Sequence, residues 1–373
     1  MNSNHFTISR RRINKEPLAI TLLFIAWALF LIISVSLTFV TAKTNVNRYY
    51  DKQVEAANLS KLAMEKVKER KSELGIPFSQ YDKYNNGMIG DVLSPITTTS
   101  GILEAKLTSC NPDFAAVYIN MFKEIGLRSG DEIAIIMSGS FPMLNISAIC
   151  AAEVYGLKTC TMASIGASSY GANHEDFTFF DMIEYLNKEN IIKIQIDYVS
   201  FGGANDDGLE FDENIRNNIL DRINKSNSKF LCESDFQKNV KQRTELIYQK
   251  CPNIKFLISV GGTIVGMGIG DAATISYRGL VKPNYLSTNE YIDEDKIGLL
   301  DTFLRKGIPV AQMLNVKGIA VDYGIPYNPD VIPEIGKTNA YFEVAYNLYI
   351  PIISIIVSFV LLIFYKIYRM KHI

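Results

Sequence analysis

Histidine is scarce in this chain of 373 residues, and its scarcity limits the chemistry open to the protein. The three histidines are His5, His174 and His372, and two of them lie at the ends of the sequence. Catalytic and structural zinc sites gather several histidine or cysteine ligands in one place, so we expect no histidine-based metal site. A serine-histidine-aspartate triad would have to use His174 as its base.

Cysteine is also limited, and none of the five cysteines stands in CxxC spacing. On an oxidising face of a membrane Cys232 could pair with Cys251, and Cys110 could pair with Cys150 or Cys160. The favoured alternative is that all five are small, buried apolar residues. A domain of roughly 300 residues buries enough core to be stable without disulfides.

An excess of either charge is absent, because 38 basic residues balance 39 acidic ones. Seven of the basic residues and only one acid, Glu16, lie in the two terminal segments, which leaves 31 basic and 38 acidic residues between them. That central part therefore carries a net charge of about −7. Nucleic-acid binding requires a basic face and is not expected. Local geometry, not a long-range field, would have to hold any bound anion.

Long apolar runs are present at both ends of the chain. Residues 18–42 contain no charge, and residues 344–365 are rich in Ile, Val, Leu and Phe. Since a helix of about 20 apolar residues crosses a bilayer, both segments are predicted to be membrane spans. A signal peptide has a shorter apolar region of about 7–15 residues, which disfavours a cleaved leader followed by a buried C-terminal helix.

Basic residues on the outer sides of the two runs predict the orientation of the chain. They are Arg10, Arg11, Arg12 and Lys15 before the first run, and Lys366, Arg369 and Lys371 after the second. Because basic flanks stay in the cytoplasm, both termini are expected inside and the central part outside the cytoplasmic (inner) membrane. The predicted divisions are cytoplasmic tails at 1–17 and 366–373, membrane spans at 18–42 and 344–365, a helical stalk and linker at 43–84, and an extracytoplasmic domain at 85–343.

The central part alternates short apolar runs with helical patterns, which predicts an α/β domain with a mainly parallel sheet and helices on both faces. A transmembrane helix flanks it on each side. The predicted strands are 133–137, 158–162, 192–199, 254–260, 309–313 and 318–322. The predicted helices are 45–74, 112–125, 142–155, 177–187, 212–224, 233–250 and 299–306.

Small and polar residues cluster after four of the predicted strands. The clusters are residues 138–142, 166–173, 202–208 and 261–270. Ligands of open α/β sheets bind outside the carboxyl ends of the strands, and glycine allows close approach to the backbone. We therefore predict a ligand cleft at this edge of the sheet.

The segment Ser138-Gly139-Ser140 has the strand-turn-helix layout of a nucleophile elbow, but it lacks the G-x-S-x-G frame. A nucleophilic serine also needs a base, and nothing in the sequence brings His174 close to Ser140. An anion-binding or helix-capping serine is therefore favoured over a catalytic one.

The glycine run at residues 261–270 does not match a dinucleotide fingerprint, and no P-loop lysine follows it. Close packing of a loop explains these glycines better than a nucleotide does. No cofactor is predicted.

Several charged residues lie near the predicted cleft in sequence. Glu104 and Lys106 could supply an acid and a cation to a site, or could equally be solvated surface charges. Asp206, Asp207 and Asp271 lie in loops, where such acids usually satisfy turns.

Several segments together resemble the family of poly-gamma-glutamate system proteins. They fall in matching order over about residues 85–270, roughly half of the chain, and are residues 87–90, 94–98, 103–109, 111–116, 138–145, 166–173 and 201–208. The resemblance implies a role in the synthesis or export of poly-γ-glutamate, a polymer of glutamate linked through its side-chain carboxyl group. It carries over no catalytic residue.

Strand ends and matched motifs together define the candidate site. The candidate ligand-binding residues are Ser138, Gly139, Ser140, Asn145, Ser168, Asn173, Gly202, Gly203, Asp207, Gly261 and Gly262.

Our leading hypothesis is a membrane accessory of poly-γ-glutamate assembly whose cleft binds a carboxylate-bearing ligand. Its expected partners are the membrane, other membrane components of a synthase, and the acidic polymer or its glutamyl end. The alternatives are a γ-glutamyl hydrolase or transferase with Ser140 as nucleophile, and an anion-binding scaffold or sensor.

Overall fold

A computed structural model describes residues 16–274, 277–283 and 293–372 of the chain. The described residues form twelve α-helices: α1 (Glu16–Val40), α2 (Tyr50–Glu73), α3 (Leu103–Ser109), α4 (Phe114–Glu124), α5 (Pro142–Tyr155), α6 (Phe179–Lys188), α7 (Glu213–Asn224), α8 (Phe236–Lys250), α9 (Ile264–Met267), α10 (Leu299–Arg305), α11 (Val316–Tyr323) and α12 (Tyr349–His372). The strands are β1 (Lys43–Val46), β2 (Thr97–Thr99), β3 (Glu132–Ser138), β4 (Lys158–Ser164), β5 (Ala167–Ser168), β6 (Tyr198–Ser200), β7 (Lys229–Phe230), β8 (Ile254–Val260), β9 (Gly279–Val281), β10 (Val310–Met313) and β11 (Phe342–Ala345).

The chain divides into two compact units, and the smaller one contains both apolar helices. In this unit β1 pairs antiparallel with β11. Phe39 and Tyr346 meet edge to face with their ring centroids 5.4 Å apart. The hydroxyl of Ser354 donates a hydrogen bond of 2.6 Å to Ser34 Oγ. The two helices are antiparallel, because Phe39 near the end of α1 meets Tyr346 just before α12, and the earlier Ser34 meets the later Ser354.

Both apolar helices are long enough to cross a membrane. The qualifying segments are Thr21–Val40, with 20 residues, and Tyr349–Ile367, with 19 residues, and most of their side chains are exposed. The second helix begins at Tyr349, five residues later than predicted, because Phe342–Ala345 is extended and pairs with β1. The basic tail before the first span lies outside the described residues.

The larger unit, residues Asn47–Tyr341, is an α/β domain built on a seven-stranded sheet of order β7-β6-β4-β3-β8-β10-β9. Five of the six neighbouring pairs are parallel, and only β9 runs antiparallel to its neighbour. The chain moves from β3 outward through β4, β6 and β7, and then returns to place β8 on the other side of β3. The strand order therefore reverses between β3 and β8.

Two groups of helices cover the sheet, one containing α2, α4 and α5 and the other containing α8, α9 and α10. On β8, Phe256 meets Phe122 of α4 with ring centroids 6.2 Å apart. The next residue, Leu257, belongs to a buried cluster with Val240 of α8 and Phe303 of α10. Successive side chains of a strand point to opposite faces, so the two groups lie on opposite faces.

The predicted stalk is instead a layer of the α/β domain. Helix α2 buries Ala56, Ala57, Ala63 and Val67 and packs against α4 and α5. The α/β unit thus begins at Asn47, before the predicted boundary at residue 85. The helix also does not continue directly from α1, since β1 lies between them.

Two predicted strands differ in the structure. Residues 318–322 belong to helix α11, which Asn315 caps by accepting a hydrogen bond of 2.9 Å from Gly318 N. The predicted strand at 192–199 is regular only from Tyr198 to Ser200. Before it, Asp197 N still donates a bond of 3.2 Å to Thr161 O, but Thr161 N donates one of 2.9 Å to Asp197 Oδ2, so a side chain replaces part of the backbone ladder.

Candidate functional site

A cleft of about 490 Å³ lies at the carboxyl ends of the parallel strands, where the strand order reverses between β3 and β8. This is the expected ligand position in an open α/β sheet. Loops after β3, β4, β6, β8 and β10 supply its walls, together with the segment around α3. The lining residues are Thr98, Thr99, Ser100, Gly101, Ile102, Ala105, Lys106, Ser138, Ser140, Phe141, Ser164, Gly166, Ser168, Gly202, Gly203, Ala204, Asp206, Glu210, Gly262, Thr263, Ile264, Val265 and Leu314.

The turn after β3 is held tightly by its neighbours. Gly139 N donates a hydrogen bond of 3.1 Å to Ser164 O of β4. A Cβ atom at Gly139 would lie 2.6 Å from Ile165 O, so the close approach of the two turns requires glycine. Asn145 Nδ2 donates a bond of 2.8 Å to Ser138 O. These contacts fix Ser138 and Ser140 before α5 begins.

Lys106 is the most unusual residue of the cleft wall, because its side chain is fully buried. Its Nζ atom donates to the carbonyl oxygen of Ser140 and, over 2.7 Å, to Ser168 Oγ. The same atom lies 3.6 Å from the ring centroid of Phe141, within range of a cation–π contact. Among the described residues, no carboxylate forms an ion pair with Lys106.

Burial lowers the pKa of Lys106 from 10.5 to about 7. The cause is the loss of water around the ammonium group, which penalises the charged form. Near neutral pH this lysine therefore exists in both protonation states. A strongly perturbed pKa inside a cleft is a mark of functional sites.

Ser168 and Ser140 connect the lysine to the rest of the cleft. Ser168 N donates a hydrogen bond of 3.0 Å to Ser140 Oγ. Ser168 lies in β5, which pairs with β2 and so brings the 97–99 segment to the cleft. A Cβ atom at Gly101 would lie 2.5 Å from Ser169 O and 3.2 Å from Lys106 Cε. The small residue at 101 thus leaves room for the lysine.

The acidic side chains at the cleft already have partners. Asp206 is buried and forms an ion pair with Arg243. It also accepts bonds of 2.6 Å from Ser200 and 3.0 Å from Asn239. Glu210 Oε1 accepts a bond of 2.8 Å from Ala204 N. The negative charge of Asp206 is therefore compensated within the fold.

Six of the predicted ligand-binding residues line the cleft, and five do not. The six lining residues are Ser138, Ser140, Ser168, Gly202, Gly203 and Gly262. Four loops that are distant in sequence thus contribute to one cavity, as the clusters at the strand ends predict.

The other five candidates support the surrounding loops. Gly139 and Asn145 hold the turn after β3, as described above. Asn173 binds the backbone of residue 91 through both its amide atoms. Asp207 Oδ1 accepts a bond of 3.1 Å from Leu209 N, which satisfies its own turn. Gly261 has φ +91°, and a side chain there would collide with Ser138 Oγ.

Sequence reasoning left Lys106 undecided and did not place several hydroxyl residues at the cleft. Of the pair considered, Lys106 lines the cavity, whereas Glu104 is exposed and does not. The unpredicted hydroxyl residues are Thr98, Thr99, Ser100 and Ser164. Residues 97–100 are all Ser or Thr, and this run of hydroxyl side chains was the sequence signal that could have placed the segment at the cleft.

The histidine and the cysteines do not contribute to this cleft. His174 lies at a separate cavity of about 240 Å³ and accepts a bond from Asp176 N. All five cysteines are free thiols, four of them buried and only Cys232 exposed. The disulfide pairings considered from the sequence are therefore not formed. Among the described residues no cluster of His, Cys, Asp and Glu could hold a metal ion.

Comparison with known proteins identifies no family or fold relative for this chain. No protein-family profile matches the chain. No curated protein matches it either. Among solved structures there is a likeness to a multiple substrate aminotransferase from Thermococcus profundus, with 13% sequence identity and a TM-score of 0.14. It covers 58% of this chain, which spans 46% of the aminotransferase, and at that TM-score it supports no statement about this protein.

Proposed function

We propose that this protein is a membrane-anchored accessory component of poly-γ-glutamate synthesis or export. In this proposal the α/β domain lies outside the cytoplasm, and its cleft binds a carboxylate-bearing ligand such as a glutamyl chain end. The family resemblance of residues 85–270 suggests the pathway, and the cleft suggests the ligand.

The observation that carries the ligand proposal is that Lys106 is buried and has no carboxylate partner among the described residues. Removing an ammonium group from water without a counter-charge costs several kcal/mol. A carboxylate in the cleft would supply the missing charge and would form a charge-assisted hydrogen bond. Binding would then raise the pKa of Lys106 and draw in a proton.

The remaining cleft wall suits the rest of such a ligand. Serine and threonine hydroxyls both donate and accept hydrogen bonds, and Ser138, Ser140 and Thr263 bring them to the cavity. A volume of about 490 Å³ falls within the usual range for small-molecule sites. Charge, hydrogen-bonding capacity and size together favour a short polar acid.

The anchoring proposal is supported by the antiparallel pair α1 and α12. If both helices cross one bilayer, residues before α1 and after α12 lie on the same side. The basic residues in both tails then favour the cytoplasm for that side. A reporter fused after Ile373 should be active only in the cytoplasm, and activity outside would contradict this orientation.

The alternative with Ser140 as nucleophile gains no support from the geometry. Ser140 Oγ accepts a bond from Ser168 N, and among the described residues no base is seen to contact that hydroxyl. An anion-binding scaffold or sensor would use the same cleft. Co-purification of synthase components with the protein would favour the role in poly-γ-glutamate assembly over that alternative.

Binding of γ-linked glutamyl oligomers to the full-length protein in detergent tests the ligand proposal. Lys106→Met should abolish binding measured by calorimetry. Lys71→Met is the matched control, because Lys71 is also a buried lysine but lines the separate cavity that contains His174. Equal binding by wild type and Lys106→Met would exclude the cleft as the site. Loss of binding in both variants would indicate a general loss of structure.

In cells, Lys106→Met at the native locus should reduce the amount of secreted polymer, while Lys71→Met should not. Unchanged polymer in the Lys106→Met strain would separate the protein from that pathway.

A further inference from the structure

Ser168 and Lys106 have the geometry of a nucleophile and its base. The distance of 2.7 Å between Nζ and Oγ is that of a hydrogen bond. Both residues line the same cleft, and both are buried. Serine-lysine pairs are an established variant of the catalytic triad.

The hydrogen bonds around Lys106 are satisfied in both of its protonation states. As an ammonium, Nζ donates to Ser140 O and Ser168 Oγ and contacts the ring of Phe141. As a neutral amine, it keeps the bond to Ser140 O and can accept the hydroxyl proton of Ser168 with its lone pair. The surroundings thus allow the proton to move between the two residues without leaving a polar group unpaired.

We propose that Ser168 is a nucleophile activated by Lys106, and that the cleft carries out hydrolysis or transfer of a γ-glutamyl acyl group. Neutral Lys106 takes the proton of the Ser168 hydroxyl while Oγ bonds to the carbonyl carbon of a γ-amide. The carbon–nitrogen bond then breaks, and the Lys106 ammonium returns the proton to the departing amine. Water or a second amine then attacks the carbonyl carbon of the resulting ester while Lys106 takes its proton. The bond from that carbon to Ser168 Oγ breaks, and the Lys106 ammonium returns the proton to Oγ.

This inference rests on the ligand in the proposed function and adds a reaction to it. Cleaving a γ-amide produces a free γ-carboxylate, which is the group proposed to bind Lys106. The bound chain end is therefore the product of the reaction. Helix α5 begins at Pro142 beside the cleft residue Phe141, so the positive end of its dipole lies at the cleft wall.

The two uses of Lys106 depend on pH in opposite directions. Carboxylate binding needs the ammonium, so it weakens as pH rises through the pKa of Lys106, about 7. Activation of Ser168 needs the neutral amine, so it strengthens over the same range. A purely binding site would show only the first dependence.

Labelling of the full-length protein in detergent with a fluorophosphonate probe tests the pair. Peptide mapping should find the label on Ser168, with a rate that rises with pH through about 7. Lys106→Met should slow labelling by about 100-fold or more, the usual contribution of a general base. The same samples are incubated with γ-linked glutamyl oligomers, and new free amino ends are counted.

Ser168→Ala should lose both labelling and cleavage. Ser169→Ala is the matched control, because Ser169 is a buried neighbour that does not line the cleft, and it should behave as wild type. Protection of the four buried thiols from modification verifies that each variant is folded. Ser168→Cys keeps the shape of the side chain and should react with iodoacetamide faster than Cys232 does.

Label on Ser140, or cleavage that survives in Ser168→Ala, would overturn the proposal. Wild-type protein that binds oligomers but is neither labelled nor able to cleave them would overturn it and leave the proposed function standing. If oligomers do not bind, the proposed function fails, and lysine-dependent labelling of Ser168 still decides whether the pair is active.

Discussion

Replacing Lys106 by methionine should stabilise the protein at acidic and neutral pH. The pKa of this lysine falls from 10.5 to about 7 on folding. At about 1.4 kcal/mol per pH unit, burial of the charged form costs on the order of 5 kcal/mol relative to the neutral amine. Methionine is similar in length and carries no charge. It removes this cost and forfeits two hydrogen bonds worth about 1 kcal/mol each.

The expected gain in the free energy of unfolding is therefore about 3 kcal/mol near pH 6. Between pH 7 and 10.5 the unfolded chain binds a proton at Lys106 that the folded protein does not, so wild-type stability rises with pH. Below pH 7 both states are protonated and the full cost remains. The advantage of Lys106→Met should accordingly shrink to about zero near pH 9.

Urea unfolding of full-length protein in detergent, followed by far-UV circular dichroism from pH 6 to pH 9, measures this difference. Lys71→Met is again the control. Burial also lowers the pKa of Lys71, but Asp82 and Asp91 favour its charged form, so its gain should be smaller. A Lys106→Met protein that is less stable than wild type at pH 6, or whose advantage does not change with pH, would refute the reasoning.

Two further predictions concern the cleft walls. Arg243→Met leaves the Asp206 carboxylate buried without its counter-charge and should lower the free energy of unfolding by about 3–5 kcal/mol. Adding Asp206→Asn to this variant should recover part of the loss, measured by urea titration. Simple addition of the two single effects would contradict an interaction between Arg243 and Asp206. Gly101→Ala places a Cβ atom 2.5 Å from Ser169 O and should abolish oligomer binding, whereas Gly262→Ala meets nothing closer than 3.4 Å and should be tolerated in the same calorimetric assay.

Much of the α/β domain was predictable from the sequence, because its main signals are local. Strands β3 and β8 are short apolar runs, and Gly156 ends α5 in the left-handed conformation. Helix α11 was predicted as a strand, because its cap depends on one asparagine and its apolar residues show no clear period. The packing of α2 against the domain also depends on tertiary contacts that a helical pattern does not specify.

The edge of the sheet at which the site lies was predictable, but its chemistry was not. Parallel strands bring their carboxyl ends together, which is why Ser140, Ser168 and Gly202 line one cavity. Whether Lys106 is buried depends on the pairing of β2 with β5 and on the turn after β3, which are distant from it in sequence. The sequence of α3 would also suit a helix with a solvated lysine, so only the fold shows that Lys106 is buried.

If the protein acts as proposed, its charge distribution favours binding of a chain end over coating of a polymer. The sequence between the tails carries a net charge of about −7, which repels a polyanion, although salt screens that field beyond about 8 Å. The charge of a fully buried ammonium is screened little by salt. A polymer lying along the surface would meet the repulsion at every residue, whereas an end inserted into the cleft meets the cation first. If this is correct, affinity per molecule should be nearly independent of oligomer length once the terminal residues fill the cavity.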